Sequence, residues 1–128
     1  MLETDDRPEL GTVRIANEVV AVVAGLAATE VSGIAGMSGG LAGGISELLG
    51  KKNLAKGVKV EVGEKEAAVD LYLVVKYGTV IPDVCAEVQR NVKRAIESMT
   101  GLEVVEVNTH VSGVLFEDRE PSTEVRVR

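Results

Sequence analysis

A chain of 128 residues has the length of one ordinary domain, and one hydrophobic core is enough to fold it. Hydrophobic residues make up 45% of the sequence and aromatic residues only 2%, so we expect a core of valine, leucine, isoleucine and alanine. The formal net charge of -6 repels phosphate backbones and argues against nucleic acid as a partner.

The sequence carries no sign of export or of a membrane span. It begins MLETDD, which is acidic where a secretory signal would be basic, and its single cysteine excludes an internal disulfide. The longest apolar run, residues 19–28, is about half of the ~20 residues that cross a bilayer. We expect a cytoplasmic protein that another protein would have to hold if it works at a membrane.

The first third of the chain predicts a strand and a buried helix. Residues 1–9 are polar and form an expected flexible acidic arm, and residues 10–15 alternate weakly, as in a short strand. Residues 16–31 carry few charges and apolar side chains three and four apart, which indicates a covered helix with Asn17 as a candidate cap. The residues at this spacing are Val19, Val22, Val23, Leu26, Ala27 and Glu30.

Six glycines between residues 33 and 44 argue against a regular element there. In the second half of this glycine-rich segment, four apolar residues fall at helical spacing and would either close over the core or meet a protein partner. These candidate partner-binding residues are Leu41, Ile45, Leu48 and Leu49. The lysines that follow are a candidate contact for an anionic surface, although an ordinary solvated charged face is the more common explanation of such a run: Lys51, Lys52 and Lys56.

A hairpin of two strands comes next. Residues 58–62 alternate valine with charged residues, residues 63–66 form the turn, and the return strand is apolar on one face and half apolar on the other. The return strand is therefore predicted to be the more central of the two. Its apolar face carries Val69, Leu71, Leu73, Val75 and Tyr77.

A long amphipathic helix and a last strand complete the domain. Pro82 and Asp83 suit the first turn of the helix, and Gly101 suits its left-handed end. The predicted inner stripe is Ile81, Val84, Cys85, Val88, Val92, Ala95, Ile96 and Met99. The last strand is predicted to have one buried face and one mostly polar face. The buried face carries Val105, Val107, Thr109, Val111 and Gly113, and the mostly polar face carries Val104, Glu106, Asn108, His110 and Ser112.

The predicted order is strand, helix, strand, strand, helix, strand. Two apolar helices are satisfied when both pack on one face of a mixed or antiparallel sheet, so the sequence predicts an α+β two-layer sandwich. The expected organisation is a single domain over residues 10–116, between the acidic arm and a charged tail of residues 117–128.

No catalytic, metal-binding or cofactor-binding residue is predicted. Cys85 lies on the inner stripe of a helix and is expected to be an inert buried thiol. His110 is the only histidine, which excludes a multi-histidine metal site and leaves Cys85 with His110 as the sole possible nucleophile and base. The helix pattern directs the thiol towards the sheet, whereas the strand pattern directs the imidazole away from the helix, so this pair is not expected to meet.

Two alternatives stay open beside an interaction scaffold. One is a small-ligand carrier or enzyme that uses the glycine-rich segment together with Asn108 and His110. The other is an RNA binder similar to KH domains, because residues 33–36 and 40–43 have the GxxG spacing, although neither stretch contains a basic residue. A P-loop is excluded because Gly50-Lys51-Lys52 lacks the hydroxyl residue that binds magnesium.

Four strings of sequence together resemble a known family. They are Val-Ser-Gly-Ile-Ala-Gly-Met at 31–37, Gly-Val-Lys-Val-Glu-Val at 57–62, Lys-Tyr-Gly-Thr-Val-Ile-Pro at 76–82 and Gly-Leu-Glu-Val-Val-Glu-Val-Asn-Thr-His-Val-Ser-Gly-Val at 101–114. They resemble the alkaline-shock-protein-twenty-three family of bacterial envelope-stress proteins. The residues that carry the resemblance are Tyr77, Gly78, Pro82, Asn108, His110 and Gly113; the chain departs from the family pattern at Thr109 and Ser112.

The resemblance implies a cytoplasmic, non-enzymatic protein of mostly Gram-positive bacteria, associated with cell-envelope homeostasis or lipid metabolism. It further implies a protein partner, such as a separate membrane-anchor protein, and self-association into a homo-oligomer.

Overall fold

The computed structural model describes residues 10–39 and 55–116. Its helices and strands are α1 (Asn17–Thr29), β1 (Ile34–Met37), β2 (Val58–Val62), β3 (Glu66–Lys76), α2 (Ile81–Thr100) and β4 (Glu103–Leu115). The four strands form one mixed sheet, in which β1 and β2 run antiparallel to β3 while β4 runs parallel to it. The predicted α+β class is therefore confirmed.

Strand β3 is the centre of the sheet, as its apolar character predicted. Its whole length pairs with β4, whereas its other edge is shared by β2, opposite residues 67–71, and β1, opposite residues 73–75. Strands β1 and β2 run in the same direction along that edge, so they form one composite strand that the chain leaves after Ser38 and rejoins at Gly57.

The hydrophobic core lies between the two helices and one face of this sheet. The odd-numbered residues of β3 point into it because side chains alternate along a strand. The core residues are Val20, Ala24, Ala27, Ala28, Val31, Ile34, Met37, Ala67, Val69, Leu71, Leu73, Val75, Val88, Val92, Ile96, Leu102 and Val104. We call the opposite side of the sheet, which carries the even-numbered residues of β3 and is covered by neither helix, the open face.

The first strand does not lie where the sequence pattern placed it. Residues 10–15 hold no strand, and Leu10 and Val13 are exposed; a strand forms instead after α1, at β1, inside the stretch that its glycines had marked as irregular. Burial of Ile34 and Met37 against the core offsets the entropic cost of ordering Gly36. A burial gain of this kind is not visible in local glycine content.

Helix α1 also presents a different stripe from the predicted one. Val19 and Leu26 are 48% and 46% exposed. The buried stripe is rich in alanine, and small side chains allow a helix to lie close to its neighbours: Val20, Ala21, Ala24, Gly25, Ala27 and Ala28. Asn17 is not the cap, because the N-cap residue is Ala16 and no side chain caps the helix.

Helix α2 matches its prediction closely. Val88, Val92 and Ile96 are fully buried, and Gly101 ends the helix with a φ of 78°, in the left-handed region that glycine adopts without strain. Ile81 and Met99, at the two ends of the predicted stripe, are exposed.

Strand β4 departs from simple alternation at two irregularities. In its register with β3, Ala67 pairs with Val104 and Ala68 with Glu106, so the extra residue between them shifts the phase of the strand. Val104 is consequently buried, while Val105 is 53% exposed, the reverse of the prediction. A second irregularity falls between Val111 and Gly113.

Candidate functional site: the open face of the sheet

The open face carries a compact group of polar and aromatic side chains at its centre. Paired residues of neighbouring strands stand on the same face, and Asp70 of β3 pairs with Lys59 on one side and Asn108 on the other. Two residues further along β3, and therefore on the same face, Tyr72 pairs with His110. We call Lys59, Asp70, Tyr72, Asn108 and His110 the open-face cluster.

Asp70 is the hydrogen-bond acceptor of this cluster. Asn108 Nδ2 donates to Asp70 Oδ1 over 3.1 Å, and His110 Nε2 lies 3.2 Å from the same oxygen. The hydrogen bond from His110, followed by the one from Asn108, holds the pKa of Asp70 below its usual value. The carboxylate is thus ionised and already occupied, which makes it a poor general base.

Aromatic stacking fixes the second row of the cluster. The rings of Tyr72 and His110 are stacked, with centroids 4.5 Å apart and planes 13° from parallel. Lys59 Nζ stands 5.8 Å from the centroid of the tyrosine ring, within reach of a cation–π interaction. His110 and Asp70 keep 45% and 39% of their side-chain surfaces exposed, so the cluster is ordered and accessible to a partner.

The geometry excludes a reaction between the thiol and the imidazole. Cys85 packs against the hydrophobic core on the helix side, while His110 lies on the open face with Asp70 and Tyr72. The sheet therefore separates the two groups, as the sequence pattern predicted. Among residues 10–39 and 55–116, no three His, Cys, Asp or Glu side chains are grouped so that they could hold a metal ion.

The chain between Ser38 and Gly57, which contains the rest of the glycine-rich segment and the apolar residues after it, leaves and rejoins the sheet next to this cluster. Ser38 N–H donates to the carbonyl of Tyr72 over 2.8 Å, and Tyr72 N–H donates to the carbonyl of Gly57 over 2.8 Å. The two ends of the segment thus meet at one residue of β3, which is also a member of the open-face cluster. We call Ser38, Gly57 and Tyr72 the neck.

Glycine is required at the neck. Gly57 has a φ of 80°, and a Cβ atom there would lie 2.9 Å from the carbonyl oxygen of Ser38 and 3.1 Å from that of Tyr72. Both contacts are with backbone atoms, which cannot rotate away. A side chain at residue 57 would therefore push the two halves of the composite strand apart.

The remaining residues of the family resemblance shape the ends of elements. Tyr77 N–H donates to the Leu115 carbonyl over 3.0 Å, and the Tyr77 ring lies 4.6 Å from that of Phe116. Gly78 has a φ of 95°, Pro82 lies in the first turn of α2, and Gly113 faces the side chain of Val74. Of the six residues, Asn108 and His110 are the two that enter the open-face cluster.

Several predicted site residues fall outside the described part of the chain: Leu41, Ile45, Leu48, Leu49, Lys51 and Lys52. Lys56 is described and exposed. Three residues of the cluster are not predicted by the sequence pattern: Asp70, Tyr72 and Lys59. Pairing β3 in parallel with the last strand would have placed Asp70 and Tyr72 beside Asn108 and His110, but the pattern of a single strand does not contain its register.

Neither alternative function, a small-ligand carrier or enzyme or an RNA binder, has a suitable binding site among the described residues. An open cleft of about 470 Å³ lies between the end of α1 and the start of α2, away from Asn108 and His110. Its walls are acidic, which does not suit phosphorylated ligands: Glu30, Val31, Ser32, Asp83, Val84, Glu87 and Asn91. The GxxG stretch at residues 33–36 runs into strand β1 and is not a loop, while residues 40–43 lie outside the described residues.

Within the described residues, neither helix has the length and apolar character needed to cross a membrane.

Comparison with known proteins gives a consistent result. The model of the alkaline-shock-protein-twenty-three family, described by a cell envelope-related function, matches residues 5–116. YqhY of Bacillus subtilis (strain 168) is 42% identical over 116 residues, which are 91% of this chain and 86% of YqhY. YloU of the same organism is 40% identical over 110 residues, which are 84% of this chain and 92% of YloU.

A stress response regulator gls24 homolog of Streptococcus pyogenes is 33% identical over 102 residues, which are 79% of this chain but only 57% of that protein. Among solved structures, MamM CTD aligns with 75% of this chain at a TM-score of 0.46 and 14% identity. A TM-score of 0.46 is too low to support a conclusion about this chain.

Proposed function

The chain belongs to the alkaline-shock-protein-twenty-three family, and from that premise we propose that it is a non-enzymatic adaptor that acts through protein–protein contacts at the open face of its sheet. Its place of action in this proposal is the cytoplasm, close to the membrane, where a partner such as an anchor protein holds it. Its process in this proposal is cell-envelope homeostasis, which the cell envelope-related description of the family supports, or lipid metabolism.

The observation that carries this proposal is the open-face cluster. Four of its five side chains hold one another: Asp70 accepts from Asn108 and His110, and His110 stacks on Tyr72. A surface whose rotamers are already fixed loses little conformational entropy on binding, so its contacts contribute more of their energy to affinity. Tyrosine is also among the residues that contribute most to protein interfaces.

The glycine-rich segment supplies the second part of the proposed contact. Its two ends lie at the neck, beside Tyr72, so the segment starts within reach of whatever binds the open face. Leu41, Ile45, Leu48 and Leu49 are proposed to gain apolar burial against the same partner or against a second copy of this chain. Lys51, Lys52 and Lys56 would then lie near any anionic surface that the partner occupies.

Site-specific photo-crosslinking in cells tests the proposal. A photoreactive amino acid at Glu106, which is exposed and pairs with Ala68 on the open face, should give a defined protein adduct, because it lies beside the cluster. The same amino acid at Ser98, exposed on α2, is the matched control and should give none.

Two further chains make the result specific. Tyr72→Ser should abolish the Glu106 adduct, and Leu48→Asp with Leu49→Asp should weaken it if the glycine-rich segment shares the contact. Adducts that form equally from Ser98 and Glu106, or that survive Tyr72→Ser unchanged in a folded chain, would contradict the open face as the contact.

A further inference from the structure

Helix α1 is apolar on both of its sides. Its inner side supplies residues of the core, yet its outer side is apolar as well, and Glu18 is the one charged residue in its sequence. Val19 and Leu26 lie about two turns apart on the outer side and are 48% and 46% exposed. Val22 lies between them and is half-buried. We call Val19, Val22 and Leu26 the outer stripe.

The outer side of α2 differs in the way expected of a helix that faces water. It carries Glu87, Arg90 and Arg94, all exposed, and Arg90 forms an ion pair with Glu87 over 3.0 Å. A helix that is apolar all round, like α1, is normally buried on all sides. The outer stripe is therefore a surface that another molecule should cover.

The charge of α1 argues against a lipid bilayer as that cover. Helices that lie on a membrane surface carry lysine and arginine on their polar side. The charged residues of α1 and its C-cap are instead Glu18 and Glu30, in a chain whose net charge is -6. A protein surface is the better match for the stripe.

Opposite charges stand at the two ends of α1. Arg14, which is exposed, precedes the helix, and the neighbouring Ile15 packs against the core and so holds this end in place. The open cleft lies at the other end, between α1 and α2. Its carboxylates are Glu30, Asp83 and Glu87. One molecule thus offers a cation at one end of the stripe and a place for a cation at the other, which is the complementarity of a surface that binds itself.

We propose that two copies of this chain pair through their outer stripes, with the two α1 helices antiparallel about a two-fold axis, and that Arg14 of each copy enters the acidic cleft of the other. When Val19 of one copy packs against Leu26 of the second, residue 14 stands opposite residue 31, which is a wall of the cleft. Arginine binds carboxylates with two parallel hydrogen bonds. Parallel helices would instead bring Arg14 beside Arg14 and align the two helix dipoles, so the antiparallel pair is favoured.

The residues that precede α1 enlarge the contact. A stable interface buries roughly 800 Å² on each partner, which is more than the three side chains of the stripe supply. Leu10 and Val13 are 100% and 87% exposed. In the antiparallel pair they lie against the second copy beside its cleft, where their burial adds to the contact.

This pairing does not depend on the proposed contact at the open face. Both helices lie on the other side of the sheet, so the open-face cluster stays accessible on both copies. A pair of chains would present two open faces to a partner, and either surface can be tested while the other is intact.

Sedimentation velocity on the full chain tests the pairing. We expect a reversible monomer–dimer equilibrium between about 1 μM and about 1 mM. Leu26→Glu should raise the dissociation constant about tenfold or more, because it places a carboxylate in the apolar contact. Val105→Glu is the matched control, since Val105 is an equally exposed apolar residue, at 53%, on β4. It should leave the equilibrium unchanged, and both variants should unfold cooperatively.

A charge exchange tests the proposed register. Arg14→Glu and Glu30→Lys should each weaken the dimer, because each brings like charges together twice across the two-fold axis. An equimolar mixture of these two chains should dimerise more strongly than either chain alone. The mixed pair holds one native contact and one reversed contact, and both are attractive.

Each other outcome overturns the proposal. A chain that stays monomeric up to about 1 mM does so, and the stripe then belongs to its own chain if Leu26→Glu destabilises that monomer. It belongs to a membrane if the monomer binds phosphatidylglycerol vesicles and Leu26→Glu does not. A dimer that Leu26→Glu leaves intact, or charge variants that gain nothing on mixing, also contradict the pairing.

Discussion

Asp70 is the residue on which the open-face cluster depends, because its carboxylate accepts from both Asn108 and His110. Those hydrogen bonds hold the pKa of Asp70 below that of an unfolded aspartate. A carboxyl whose pKa is lowered by folding stabilises the native state above its unfolded pKa and loses that contribution as the pH falls through the folded value.

Asp70→Asn should therefore lower the urea midpoint of unfolding at about pH 7 and have a smaller effect at a strongly acidic pH below the lowered pKa of the folded carboxyl, where that group is protonated in both states. Parallel urea titrations of the two chains at both pH values give the comparison. Glu61→Gln, an exposed carboxylate on the same face of neighbouring β2, is the control and should change the midpoint little at either pH. An Asp70→Asn effect that grows in acid would contradict the assignment.

The composite strand is the element that places the glycine-rich segment, and its integrity depends on Gly57. Gly57→Ala should cost about 1 to 3 kcal/mol of unfolding free energy, because the alanine would hold a left-handed backbone and its Cβ would meet the Ser38 carbonyl. Gly63→Ala is the matched control, since Gly63 has no positive φ and the nearest atom to its added Cβ is 3.7 Å away. Denaturation midpoints that are equal for the two variants would show that the neck is not a tight junction.

Some elements could be predicted from sequence because their signal is local. Helix α2 carries a strong 3.6-residue period and ends at Gly101, and the β2–β3 hairpin alternates cleanly. Strand β1 could not be predicted, because Gly36 lowers its local preference and burial of Ile34 and Met37 against distant elements stabilises it. The stripe of α1 was misplaced because alanines, weak in a hydrophobicity pattern, are the residues that pack closest.

The candidate site was predictable only in part for a related reason. Family resemblance identifies Asn108 and His110, and the strand pattern correctly predicts that His110 points away from the helix side. Asp70 and Tyr72 lie 38 residues from them along the chain and meet them through the register of β3 with β4, which two irregularities set. A strand's own sequence does not contain that register.

At the scale of the whole molecule, the two helices cover one side of the sheet and leave the other side uncovered. Cys85 lies on the covered side and the open-face cluster on the free side. An adaptor that binds through the open face requires the open-face cluster and does not require the Cys85 thiol. A single genetic comparison can separate them, since each is removed by small substitutions at different places in the fold.

The most direct measurement is complementation in cells that lack this gene and are sensitive to envelope stress. We expect the Cys85→Ser chain to restore growth as well as the native chain. The Tyr72→Ser, His110→Ala chain should not restore growth, although it accumulates and unfolds cooperatively. Full restoration by the double variant, or failure of Cys85→Ser in a folded chain, would contradict the claim that this protein works through the open face of its sheet.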